Sequence, residues 1–249
     1  MLEYLVVALA AFVAGVQNAL AGGGSFLTFP ALLYAGLGPV AANVTSAVAL
    51  FPGQIATGLA GRQDVTGLPQ LGFRALVVIS LVGGGVGALL LLHTPESVFS
   101  ALVPWLVLFA TGVFAWGSFW RRSDHAAPRL HAAASGATQF AIAIYGGYFG
   151  GGIGILMLAA LTIGGMAVRN AGATKNALAG VMNATAVLIF AFSPHIAWKQ
   201  AGVMAVAATA GGQLGAWLFR RVNEQLLRIV IVVLGLVLTV GLLLRHPLN

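Results

Sequence analysis

The chain has 249 residues, of which 59% are hydrophobic and 7% charged, and a mean hydropathy of +0.98. So few polar side chains cannot cover a water-exposed globular surface, so the composition is that of an integral membrane protein. The formal charge of +7 comes without a basic-aromatic face, which excludes nucleic acid as a partner, and the absence of cysteine excludes disulfides, thiolate-held clusters and thiol catalysis.

Cutting the sequence at charges, prolines and glycine clusters gives five apolar segments in the first half: about Leu2 to Ala21, Phe26 to Leu37, Ala42 to Ala60, Leu71 to Leu92 and Leu102 to Trp120. The first lacks a basic leader and carries Gln17 and Asn18, so it is expected to stay in the mature chain. The second half repeats the order with Ala132 to Phe149, Ile153 to Ile163, Ala173 to Phe192, Ala201 to Phe219 and Leu226 to Leu244. Most segments suffice to cross a hydrocarbon core of about 30 Å at about 1.5 Å per residue. The second segment of each half is too short and is expected to be a broken or re-entrant helix.

Each short segment follows a triple glycine, Gly22, Gly23 and Gly24 in the first half and Gly150, Gly151 and Gly152 in the second, 128 residues later. Asn43, Thr45 and Ser46 correspond to Asn170, Thr174 and Lys175 with a one-residue slip, Gln54 falls on Asn183, and Gly83 and Gly87 fall on Gly211 and Gly215. This order reads as a duplication. The later glycines are read as helix-packing scaffold. Arg62, Arg74, Arg121, Arg122, Arg129, Arg169, Lys175, Arg220, Arg221 and Arg228 fall on one side of the alternating segments, against Lys199 and Arg245 on the other. The first side is therefore read as cytoplasmic. Five segments per half then invert the second copy. The expected architecture is an all-α polytopic membrane protein, an inverted structural repeat of two five-segment halves: residues 1–120, a cytoplasmic linker at 121–131, and 132–249.

Polar residues gather at both glycine breaks: Gln17, Asn18, Ser25, Thr28, Asn43, Thr45 and Ser46 at the first, and Gln139, Tyr145, Asn170, Thr174, Lys175, Asn176 and Asn183 at the second. Buried in hydrocarbon they need partners, found in one another, in a cavity or in a ligand. Opened glycine turns free backbone amides, and a short helix beginning after them aims its positive end at the membrane midplane, a geometry for a small anion. Relief of crowding at a helix contact, or a cation held by freed carbonyls, are the alternatives. Lys175 either snorkels to the surface or lines an anion path. The five acidic residues, Glu3, Asp64, Glu96, Asp124 and Glu224, all map to segment ends or connections, which disfavours carboxylate-driven cation pumping. No metal or cofactor spacing and no catalytic constellation is found, so no cofactor and no enzyme are expected. The coupling ion is left as proton or sodium, and a homo-oligomer is left open.

The stretch from Asn18 to Leu33 (NALAGGGSFLTFPALL), the ANVTS run at 42–46, the GGYFGGGIG run at 146–154, and Asn170, TKNAL at 174–178 and Asn183 together resemble the TauE/SafE family of membrane transporters, over essentially the whole chain. The resemblance implies a multi-pass protein of the cytoplasmic membrane that moves a small anion, sulfite, a sulfonate or a related organosulfur oxyanion, outward as a secondary transporter. It implies substrate surroundings at Asn18, Gly22, Gly23, Gly24, Ser25, Asn43, Thr45, Ser46, Gly150, Gly151, Gly152, Thr174, Lys175, Asn176 and Asn183. Uptake or channel activity in the same fold, or a non-transporting assembly role, are the rival readings.

Overall fold

The computed structural model describes residues 2–20, 22–116 and 131–218, with positions 229, 232, 233, 236, 237, 239 and 240. Most of the expected linker and most of the tenth segment lie outside the described residues, as do Arg121, Arg122, Arg129, Arg220, Arg221, Arg228 and Arg245. The described residues form nine α-helices: α1 (Leu2–Leu20), α2 (Ser25–Tyr34), α3 (Pro39–Ala60), α4 (Phe73–His93), α5 (Glu96–Ala115), α6 (Ala132–Tyr148), α7 (Ile153–Ile163), α8 (Val168–Ala191) and α9 (Trp198–Leu218).

Windows in α1, α4 and α5 are long and apolar enough to cross a membrane. α3 and α8 are longer, 22 and 24 residues, but carry the asparagines and threonines that dilute their hydropathy. Both start before the apolar runs that mark them in sequence. Pro39 occupies the first turn of α3, where its fixed φ and missing N–H are tolerated, and α5 starts at Glu96, before the expected Leu102, with Pro104 inside it. Outward-facing apolar side chains such as Trp105, Phe109, Leu188 and Val206 are exposed, a surface suited to hydrocarbon and not to water.

The two short helices have 10 and 11 residues, about 15 Å each at about 1.5 Å per residue, half a bilayer core. They also end alike. Gly36 (φ 86°) and Gly165 (φ 96°) take left-handed backbone, and the amides of Leu37 and Met166 donate back to the carbonyls of Leu32 and Leu161, both at 3.1 Å. Glycine reaches this conformation without the Cβ clash that L side chains meet.

Two helix pairs meet through matching glycine contacts. α1 lies against α9 and α4 against α6, while α3 crosses α8. A Cβ on Gly211 would fall 1.9 Å from the Phe12 carbonyl oxygen, and one on Gly83 would fall 3.1 Å from that of Phe140. Likewise Gly215 abuts the Val16 carbonyl and Gly87 that of Ile144. In each comparison both partners shift by the same 128 residues. One core cluster includes Phe29, Leu32, Phe99, Phe149 and Phe190, and a second Leu76, Met157, Leu161, Leu178 and Met182.

Candidate anion site at two opposed helix breaks

α1 stops at Leu20 and the chain turns through Gly22 and Gly23, whose φ values of 88° and 89° favour glycine strongly. The turn is held from inside. The buried Gln17 side-chain amide donates to the Gly23 carbonyl at 3.2 Å and to that of Gly22 at 3.4 Å, and the Asn18 carbonyl oxygen accepts from the Gly24 amide at 2.7 Å. Thr28, one turn into α2, donates to the Gly24 carbonyl at 3.3 Å and shares a 2.6 Å hydrogen bond with Ser46 of α3. The second break, through Gly150 (φ 77°) and Gly152 (φ 76°), is anchored across the molecule: Asn43 of α3 donates to the Tyr148 carbonyl at 2.9 Å.

The two breaks touch. A Cβ on Gly22 would lie 2.9 Å from the Cα of Gly154, and one on Gly150 would lie 3.7 Å from the Ser25 hydroxyl. The Phe26 ring sits against Gly151 and Gly152, and Phe149 packs edge-on against Phe29 with ring centroids 5.9 Å apart. The N-termini of α2 and α7 are thus brought together within apolar and aromatic walls. Each such end carries the equivalent of roughly half a positive charge, so their approach is unfavourable until negative charge lies between them. Among the described residues the amides of Gly151, Gly152 and Ile153 have no hydrogen-bond partner. Buried backbone donors are nearly always satisfied, so such a group of open donors has the chemistry of an anion cradle.

Lys175 is 4% exposed, and within this structure it does not snorkel to a surface. Its Nζ donates to Asn176 Oδ1 at 3.0 Å, and the ion pair among the described residues is elsewhere, between Arg169 and Asp64. The described acidic residues Glu3, Asp64 and Glu96 are all at least partly exposed. A buried ammonium without a carboxylate partner adds positive potential to the interior.

Asn18, Ser25, both glycine triplets, Asn43 and Ser46 therefore gather at or directly support the breaks. Thr45 and Thr174 turn their hydroxyls to inter-helix connections: Thr45 accepts from the Ala197 amide at 3.0 Å, and Thr174 bonds the Thr66 backbone at 3.1 and 3.0 Å. Asn183 donates to Gln54, the residue with which the sequence offset pairs it, where α3 crosses α8. Asn170 reaches the Asp64 carbonyl at 2.9 Å and so does not mirror Asn43. Gln17, Thr28, Phe26 and Phe149 are built into the breaks but absent from the expected site. The amides were visible as polar residues in an apolar helix, whereas the phenylalanines gave no signal in so apolar a chain. A separate cavity of about 10 Å³, room for one water, is lined by Ser135, Thr138 and Gln139, and Gln139 Oε1 beside it is buried without a partner.

Residues 7–242 match the family model for sulfite exporter TauE/SafE. The chain belongs to the TauE/SafE family. Its relatives include a probable membrane transporter protein of Haemophilus influenzae, 28% identical over 92% of this chain and 89% of the relative. Another, the probable membrane transporter protein ORF9 of Sinorhizobium sp., is 30% identical over all of this chain and 95% of its own length. The probable membrane transporter protein YfcA of Escherichia coli K12 is 28% identical over 94% of this chain and 87% of its own. This is a membrane transporter family, and the break motifs lie within the matched residues.

Proposed function

We propose that the chain is a multi-pass secondary transporter of the cytoplasmic membrane that binds one small oxyanion or sulfonate between two inverted halves and releases it outward. The observation that carries this reading is the meeting of the α2 and α7 N-termini, with the unpartnered amides of Gly151, Gly152 and Ile153 beside them. In this account the amides of Gly151, Gly152 and Ile153 supply backbone donors, the first glycine triplet supplies the turn that faces them, and Ser25 supplies a hydroxyl at the junction. Asn18, Asn43, Thr28 and Ser46 fix the breaks, and Lys175 raises the local potential. The family description, sulfite exporter, supports an oxyanion of that size.

The recurrent contacts of Gly83 and Gly211, and of Gly87 and Gly215, support a duplicated fold, and the pairing of Gln54 with Asn183 fits an axis relating the halves. Five segments per half would invert the second, and the arginines support a cytoplasmic connection after α3. Rocking of one half against the other about the α3–α8 crossing would then expose the site alternately to each side. Counterflow in proteoliposomes preloaded with sulfite, a short sulfonate, sulfate or thiosulfate tests the reading. Saturable exchange that is lost in folded Gly23→Leu and weakened in Lys175→Ala is expected. No exchange of any of these anions by folded wild-type protein would overturn it.

A further inference from the structure

We propose that the connection between α3 and α4, residues 61–72, is a cytoplasmic strap whose bonds to the second half bias the carrier towards opening on the outer side. The inference rests on the carrier reading above and concerns how its site is exposed.

Thr45 and Thr174 occupy equivalent positions on α3 and α8, and each binds the connection that follows the other helix. The two connections are held very unequally. In the first, Thr66 is bonded through both N–H and C=O to the Thr174 hydroxyl, and the Asp64 carbonyl accepts from Asn170. Asp64 also pairs with Arg169 at 3.1 Å. Further along, the Gln70 amide donates to the Ser135 hydroxyl at 3.0 Å and to the Gly164 carbonyl at 3.2 Å. These partners lie at the start of α6, the end of α7 and the start of α8, so one connection ties three elements of the second half.

The counterpart between α8 and α9 has one such bond, from the Ala197 amide to Thr45. There Ser193 Oγ is buried without a partner and Phe192 is 92% exposed. Elsewhere, Asn43 and Thr94 bond Tyr148, but those contacts brace the end of α6 beside the break and do not hold a connection.

Beneath the strap α3 and α8 are in close contact: a Cβ on Gly58 would sit 3.4 Å from the Cα of Ala177, and one on Gly61 3.5 Å from the Cβ of Ala173. Opening the cytoplasmic side must part this contact and break the strap's bonds, while opening the outer connection breaks one. A hydrogen bond changes an equilibrium by a few-fold to about tenfold, and the exposed Arg169 pair counts for little. The remaining difference still favours outer opening by well over tenfold.

The chain lacks cysteine, so single introduced thiols report opening directly. Ala177→Cys reports the cytoplasmic end of the crossing and Ala186→Cys the outer end, read as the rate of reaction with a membrane-impermeant maleimide in inside-out and right-side-out vesicles. Both connections are bonded in this closed arrangement, so Thr174→Val, which keeps side-chain shape and removes two hydrogen bonds, should raise cytoplasmic labelling of Ala177→Cys about tenfold and leave outer labelling of Ala186→Cys unchanged. Gln70→Ala should act in the same direction and stands in if Thr174→Val does not fold. Thr45→Val should raise outer labelling about threefold and leave the cytoplasmic rate unchanged. Unchanged cytoplasmic labelling in Thr174→Val and Gln70→Ala, or equal rises on both sides, would overturn the strap. If this pattern appears in protein that exchanges no anion, the substrate reading falls and the strap stands.

Discussion

Gly87→Ala puts one methyl group where α4 meets α6, and the structure sets its cost. The new Cβ would lie 2.1 Å from the Ile144 carbonyl oxygen and 2.8 Å from the Tyr148 amide nitrogen, both backbone atoms that no rotamer change can move. Ordinary contact begins near about 3.4 Å, so the helices must separate by roughly 1 Å, and overpacking of this kind costs about 1–3 kcal/mol. Alanine returns up to about 1 kcal/mol through its better helix propensity, leaving a net loss of up to about 2 kcal/mol. Gly202 of α9 is the control, because a Cβ there meets nothing within 4 Å; Gly202→Ala should stabilise by up to about 1 kcal/mol. Thermal unfolding in detergent, followed by loss of the monodisperse gel-filtration peak, separates the two variants by several degrees. Gly215→Ala, facing Val16 as Gly87 faces Ile144, should behave like Gly87→Ala. If Gly87→Ala is as stable as Gly202→Ala, the close α4–α6 packing is wrong, and with it the placement of the second break.

Asn183→Leu should destabilise by about 1–3 kcal/mol because it leaves the Gln54 amide without its partner, while Gln54→Leu combined with Asn183→Leu recovers much of that loss, a coupling measurable by a double-mutant cycle of unfolding midpoints. Gly152→Ala meets a left-handed backbone (φ 76°) and a Cβ contact of 2.9 Å with Ala110; it should cost about 1–2 kcal/mol for the backbone alone and reduce the initial rate of anion exchange at least tenfold. Arg169→Ala removes an ion pair whose arginine side chain is 81% exposed, so the unfolding midpoint should hardly move, and a large drop would show that this pair does more than surface charges normally do.

The glycine triplets, the short segments after them and the order of the long segments were legible because backbone freedom and helix length leave direct marks on a sequence. The starts of α3 and α8 were not, because a proline or a charge ends an apolar run without ending a helix: Pro39 begins α3, and Arg169 sits in the first turn of α8. Polar residues inside α3 and α8 were visible, but their partners depend on how the helices cross. Thr45 lies between Asn43 and Ser46, which support the breaks, yet both it and Thr174 bond distant connections. Gln54 and Asn183 were matched as repeat equivalents, and their direct hydrogen bond needs the crossing itself. The walls of the site were hidden for the opposite reason: Phe26 and Phe149 are two of 14 phenylalanines in a chain rich in apolar residues.

If both glycine breaks form one anion site, equilibrium binding of a radiolabelled oxyanion to purified protein should saturate at one anion per chain. Gly22→Leu alone and Gly152→Leu alone should each abolish that binding in protein that remains folded. Binding that persists at full stoichiometry in either variant, or falls to half because each break holds its own anion, would contradict a single shared site.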